Sequence, residues 1–111
     1  MKYFIFNNER EGTIYHEFYK GKWDGATFWR DDSIFLHDDV LIDHQGLYNA
    51  LCEGIAEYDP NGMIVVSYED WKKVKTFIPE DDAESLEIYE EADAWVQESI
   101  DEFGCFSILG L

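Results

Sequence analysis

Apolar and polar positions along the chain follow two periods, and the switches between them mark out the elements. Lys2–Asn7 (KYFIFN) is rich in aromatic and β-branched residues and predicts a strand, followed by a polar turn from Asn7 to Gly12. Thr13–Tyr19 (TIYHEFY) alternates, with Ile14, His16 and Phe18 on one side and Tyr15, Glu17 and Tyr19 on the other; it can pair with the first strand as a hairpin. Gly21 and Gly25 punctuate the next turn, flanked by Trp23 and Trp29, and Ala26–Arg30 and Ser33–His37 predict two more short strands. Asp43 is placed to cap a helix from His44 to about Tyr58, with Leu47, Leu51, Ile55 and Tyr58 as its core stripe. Gly46 and Gly54 weaken that helix by about 1 kcal/mol apiece relative to Ala. After an Asp59-Pro60-Asn61-Gly62 turn, Met63–Ser67 (MIVVS) is a continuous apolar run suited to the middle of a sheet. Ser67 and Asp70 have capping-box spacing ahead of a short helix with Trp71 and Val74 inward. Cys105–Leu109 (CFSIL) predicts the last strand.

Between these last elements, Pro79 to Phe103 reads as one long helix. Leu86, Tyr89, Val96, Ile100 and Phe103 form its apolar stripe, Asp81 and Glu84 have capping-box spacing, and Gly104 stands where a left-handed C-cap belongs. Ile88 and Trp95 lie off that stripe. The spacing favours packing for both, under a wide apolar face; the alternative is an aromatic anchor inside a field of charge. The expected fold is α+β: one domain over residues 1–111, with a mostly antiparallel sheet of five to six strands. Two longer helices and one short helix pack on one of its faces.

Charge changes the picture. From Glu80 to Glu102 there are eleven Asp or Glu and no Lys or Arg, and the last basic residue of the chain is Lys75. Eight acid pairs lie three or four residues apart, each opposing the helix by roughly 0.2–0.5 kcal/mol. Asp101 and Glu102 also sit at the negative end of the helix dipole. The sum opposes folding by about 2–4 kcal/mol, against a typical total of about 5–15. Interspersed lysines would remove that penalty and still give solubility. Two readings follow: a solvated acidic face, or a surface kept negative for a positive partner. On the second, Glu84, Glu87, Glu91, Trp95, Glu98, Asp101 and Glu102 are the candidate partner-binding residues.

The whole chain carries a net charge of −17 in 111 residues. Such a surface repels nucleic acid and anionic lipid and attracts basic proteins across about 8–10 Å, so no direct nucleic-acid binding is expected. Apolar residues make up 46% of the chain, with four Trp, seven Tyr and eight Phe, which excludes disorder despite the charge. No run is long enough to span a membrane, and the apolar part of MKYFIFNNER is too short for a signal peptide. A cytoplasmic monomer is expected, with Cys52 and Cys105 as buried thiols.

Candidate chemistry is sparse. His37, Asp38, Asp39, Asp43 and His44 form the best set for a divalent metal or for acid–base work, but their spacing matches no zinc pattern, and the aspartates also suit turns and caps. Cys52 with His16, His37 or His44 is a second pairing; acids nearby would raise its pKa, away from nucleophilicity. No phosphate-binding glycine loop or nucleophile elbow is present. Neither a cofactor nor a resident metal is expected, nor an enzyme.

In size, in charge, in the one-sided acidic helix PEDDAESLEIYEEADAWVQESIDEF and in the turn, apolar strand and Trp-bearing helix of DPNGMIVVSYEDW, the chain resembles the immunity proteins of bacterial polymorphic toxin systems, including contact-dependent growth inhibition. The resemblance implies a small cytoplasmic domain that binds and blocks a cognate toxin domain, often a basic nuclease. The leading expectation is therefore an acidic inhibitory protein that occludes the cleft of a basic toxin. The alternatives are a DNA mimic that blocks a DNA-binding enzyme, and a small metal-dependent enzyme using the His37–His44 cluster.

Overall fold

The computed structural model describes residues 1–111. Its elements, in chain order, are β1 (Phe4–Ile5), a single 3-10 turn (Asn7–Glu9), β2 (Tyr15–Lys20), β3 (Ile34–His37), α1 (Asp38–Asp43), α2 (Gln45–Gly54), β4 (Met63–Ser67), α3 (Tyr68–Phe77), α4 (Ala83–Phe103) and β5 (Cys105–Leu109). The five strands form one antiparallel sheet in the order β1-β3-β2-β5-β4, so the α+β architecture holds.

Alternation along β2 sets the two faces of the sheet. Phe18 stands opposite Ile34 on one side and Ile108 on the other; with Phe4, Leu36, Val66 and Phe106 it forms the face covered by the helices. Phe18 lies edge-on to Phe4 at 5.1 Å and to Trp71 at 6.2 Å, and stacks on Phe106 at 5.6 Å. Trp71, Val74, Ile88, Tyr89, Trp95 and Val96 close the core from α3 and α4.

The opposite face is covered by the loop between β2 and β3. Glu17, only 1% exposed, points into that side. Its carboxylate accepts from the backbone N–H of Trp29 (2.8 Å) and Arg30 (3.1 Å) and from the Ser33 hydroxyl (2.7 Å). Trp29 sits at φ +60, a strained setting for a bulky side chain, held by Glu17 from below and by stacking on Phe35 at 5.8 Å. The Arg10 guanidinium covers Trp29 at 4.1 Å. The strand expected at Ala26–Arg30 does not form, because its backbone donors go to carboxylates. Asp24 takes the Ala26 and Thr27 N–H groups, and Glu17 takes those of Trp29 and Arg30.

Other expectations are corrected in register or in place. β1 and β2 do not form a hairpin; β3 lies between them, with Phe4 opposite Leu36 and Ile5 opposite Phe35. β4 is an edge strand and not a central one. The helix expected over residues 44–58 is shorter, running as α2 from Gln45 to Gly54, and a separate short helix, α1, precedes it. His37 caps α1 by accepting from the Asp39 N–H at 3.0 Å, and Asp43 is the last residue of α1, not a cap. α3 is capped as expected, with Ser67 Oγ accepting from the Asp70 N–H at 3.1 Å. α4 starts at Ala83 and not at Pro79, with Asp82 in place of Asp81 as its cap (Ser85 N–H to Oδ1, 3.1 Å), and ends on Gly104 at φ +79. No helix is long and apolar enough to cross a membrane.

Candidate functional site

α4 carries the seven candidate residues, and its rotation decides what each does. The buried positions are Ser85, Ile88, Tyr89, Ala92, Trp95, Val96 and Ser99. At 100° per residue this face is turned by about 60° from the stripe read off the sequence. Leu86 and Ile100 are half-buried at its margin, and Phe103 is exposed. Small residues explain the shift. Ala92 and Ser99 let the helix approach the sheet closely, and Ser99 Oγ is satisfied on both counts, accepting from the Gly21 N–H and donating to the Cys105 carbonyl. A pattern built from large apolar residues misses such positions.

Trp95 is therefore a core residue, 8% exposed, and does not stand outward as an anchor. Its indole N–H donates to the Asp32 carbonyl at 2.9 Å, and its ring lies edge-on to Phe106 at 6.0 Å.

Four members of the acidic row have partners within the chain, two of them in the N-terminal segment. Glu84 Oε2 is 2.9 Å from His44 Nε2, Glu87 is 3.1 Å from Lys2 Nζ, and Glu98 is 3.3 Å from Lys20 Nζ. Glu91 is committed most fully: its carboxylate accepts from the backbone N–H of Lys2 (3.0 Å), Tyr3 (2.8 Å) and Phe4 (2.7 Å). It ties down the start of β1 across 87 residues of chain. A carboxylate offers about four lone-pair sites, so one side chain can hold three donors. Asp101 and Glu102 are exposed, and no Lys, Arg or His pairs with either.

Burial alone would lower the His44 pKa, but the Val40 carbonyl, Glu84 and Asp82 outweigh it and leave the imidazole raised above its ordinary value. Exposed Lys2 is raised too, through its hydrogen bond to Glu87.

Beside this row, between α4 and the N-terminal segment, lies an open groove of about 380 Å³. Its floor is Trp95, Ile34 and the exposed Phe6; Glu91, Glu98 and Lys20 stand at its sides. Three of the seven candidates, Glu91, Trp95 and Glu98, thus meet here, and a third carboxylate, Asp32, joins the two glutamates. Nothing in the local pattern around Phe6 or Asp32 signals this meeting, which depends on the crossover that brings β1 beside β3. An apolar floor under several carboxylates accommodates a long cationic side chain, stem against ring and head among the acids.

The His37–His44 set is not brought together. His37 caps α1, Asp38 Oδ1 is 2.7 Å from His16 Nε2, and His44 faces Glu84. No group of three or more His, Cys, Asp or Glu side chains is placed to hold a metal ion. Buried His16 has no partner at Nδ1, and no cavity opens onto it. Cys52 is exposed and Cys105 half-buried, so neither is the fully buried thiol expected. No protein-family model, curated protein or solved structure matches the chain.

Proposed function

We propose that the protein is an inhibitory binding protein that neutralises a basic toxin domain, a nuclease being the class its charge suits best, in the cytoplasm of the cell that makes it. The observation that carries this reading is the surplus of charge. Even after the internal pairs of α4 are counted, its carboxylate row stays accessible, with Glu84 and Glu98 side chains 71% and 68% exposed. Asp101 and Glu102 have no internal counterpart. An acidic face of this kind speeds capture of a cation-rich protein and occupies the lysines and arginines with which a nuclease holds phosphate.

The roles within the row divide. Glu84, Glu98, Asp101 and Glu102 meet the partner; Glu87 contributes at the margin through its pair with Lys2; Glu91 and Trp95 hold the face in shape. The protein acts by occlusion and needs no catalytic group, metal or cofactor.

The test is binding to a small basic nuclease domain encoded at the same locus. Micromolar or tighter affinity, falling steeply as salt rises from about 0.05 to about 0.5 M, is expected. A quadruple variant, Glu84→Gln, Glu98→Gln, Asp101→Asn and Glu102→Gln, should slow association at least tenfold. Unchanged association in that variant would sink the reading.

A further inference from the structure

The two edges of the sheet are finished differently. β1 is two residues long and its start is clamped by Glu91, so that edge is blunt. β4 is five residues long, reads MIVVS, and no other strand lies beyond it. Edge strands are ordinarily protected by Lys, Pro, bulges or a covering element. β4 contains no Lys or Pro, and no Lys or Arg occurs anywhere from Asp31 to Trp71.

Ladder geometry says which backbone groups it offers. The Gly110 N–H donates to the Gly62 carbonyl at 2.6 Å, which makes Gly62 and Gly110 a hydrogen-bonded pair. Pairs of this kind alternate along an antiparallel ladder. Ile64 and Val66, opposite Ile108 and Phe106, therefore turn their N–H and C=O groups to β5, while Met63 and Val65 turn theirs to the free side. Both side chains lie on the face away from the helices and are exposed, at 41% and 37%. On that face, at the start of β4, is an apolar groove of about 290 Å³ lined by Trp23, Phe28, Met63, Leu109 and Leu111, with no basic residue in it.

We infer that β4 accepts an extended segment of a cationic protein as a sixth strand. The row of free main-chain donors and acceptors calls for a peptide backbone. Exposed Met63 and Val65 call for apolar side chains at alternate positions of that segment. Charge decides between occupants. A second copy would bring −17 against −17, so the charge that guards the edge against self-association also draws in a strand carrying Lys or Arg on its other face. Glu57 and Asp59 lie just before β4 to meet those cations, whereas Glu69 and Asp70, just after it, are paired with Lys72 and Lys73. The inference requires none of the α4 carboxylates and stands or falls apart from the reading above.

The probe is an acetylated, amidated hexapeptide of alternating lysine and valine, added to the intact ¹⁵N-labelled protein. Amide shifts and slowed hydrogen exchange are expected at Met63 and Val65 and not at Ile64 or Val66, whose N–H groups are already bonded. A peptide of alternating glutamate and valine should bind at least tenfold more weakly, as should one of alternating lysine and proline, which keeps the charge and lacks the N–H donors at the apolar positions, the ones that face β4. Val65→Pro removes an outward donor and should weaken binding at least tenfold. Should that variant fold poorly, Val65→Lys keeps every backbone group and places a repelling charge at the site, with the same expectation. Shifts confined to α4, equal binding of the lysine–proline peptide, or concentration-dependent protection of the β4 amides without peptide (which would mean a second copy) would each overturn the proposal.

Discussion

Replacing Glu91 separates a structural acid from a recognition acid on the same helix. The carboxylate holds three consecutive backbone donors, of Lys2, Tyr3 and Phe4, at 3.0, 2.8 and 2.7 Å. Hydrogen bonds to a charged acceptor contribute about 1.5–3 kcal/mol each. The Lys2 bond is solvent-exposed and contributes least. Glu91→Ala leaves the Tyr3 and Phe4 donors stranded unless the strand lifts off to find water. Lifting off sets the upper limit. It unpairs β1 from β3 and uncovers Phe4, 2% exposed against Phe18, at about 1.5–3 kcal/mol for a side chain of that size. The alanine variant should therefore lose about 2–4 kcal/mol. Glu91→Gln keeps one acceptor oxygen and should lose about half as much. Urea unfolding gives the totals, and hydrogen exchange at the Phe4 amide gives the local opening. A midpoint unchanged in Glu91→Ala, with Phe4 still protected, would refute the assignment of Glu91 as the clamp of β1.

Three further outcomes follow from the same geometry. Gly54→Ala should destabilise the fold by about 1–3 kcal/mol despite alanine's better helix propensity, because a Cβ there would lie 2.7 Å from the Val74 backbone nitrogen; urea unfolding checks this. His44 has a raised pKa in the fold, so its contribution is complete below its unfolded value of about 6.5 and is lost as pH climbs through the folded value; stability measured between about pH 6 and 8 should decline and, in Glu84→Gln, decline less. Asp101→Asn with Glu102→Gln removes two unpaired charges from the negative end of α4 and should stabilise by about 0.3–1 kcal/mol for each at low salt, an effect that thermal melts in high salt should erase.

The elements were legible in the sequence where local chemistry settles them. The Ser67 cap, the Asp59–Gly62 turn and the Gly104 terminus each depend on neighbours within a few residues. The order of strands was not, because nothing in KYFIFN or TIYHEFY says that β3 comes between them; that follows from a carboxylate in α4 and from the loop folded over Glu17. The placement of MIVVS failed for a related reason. An unbroken apolar run suits burial on both faces, but here it lies at an edge, with only Val66 fully buried and the outer face left open.

The acids of this chain do two jobs that composition cannot distinguish. Glu17 and Glu91 together take five backbone N–H groups, those of Trp29 and Arg30 and those of Lys2, Tyr3 and Phe4. In each case a carboxylate substitutes for a missing strand partner, and it fixes a segment whose own sequence would not hold it. Counting like-charge pairs along α4 therefore overstates the cost of the helix, since Glu84, Glu87, Glu91 and Glu98 are each offset by a donor or cation. The charge without an internal role is narrower than the sequence implies, and it gathers toward the carboxyl-terminal end of α4 at Asp101 and Glu102. If the acidic face serves recognition, those two residues should matter more to association than Glu91, whose removal should reach a partner only through the shape of the groove it helps to hold.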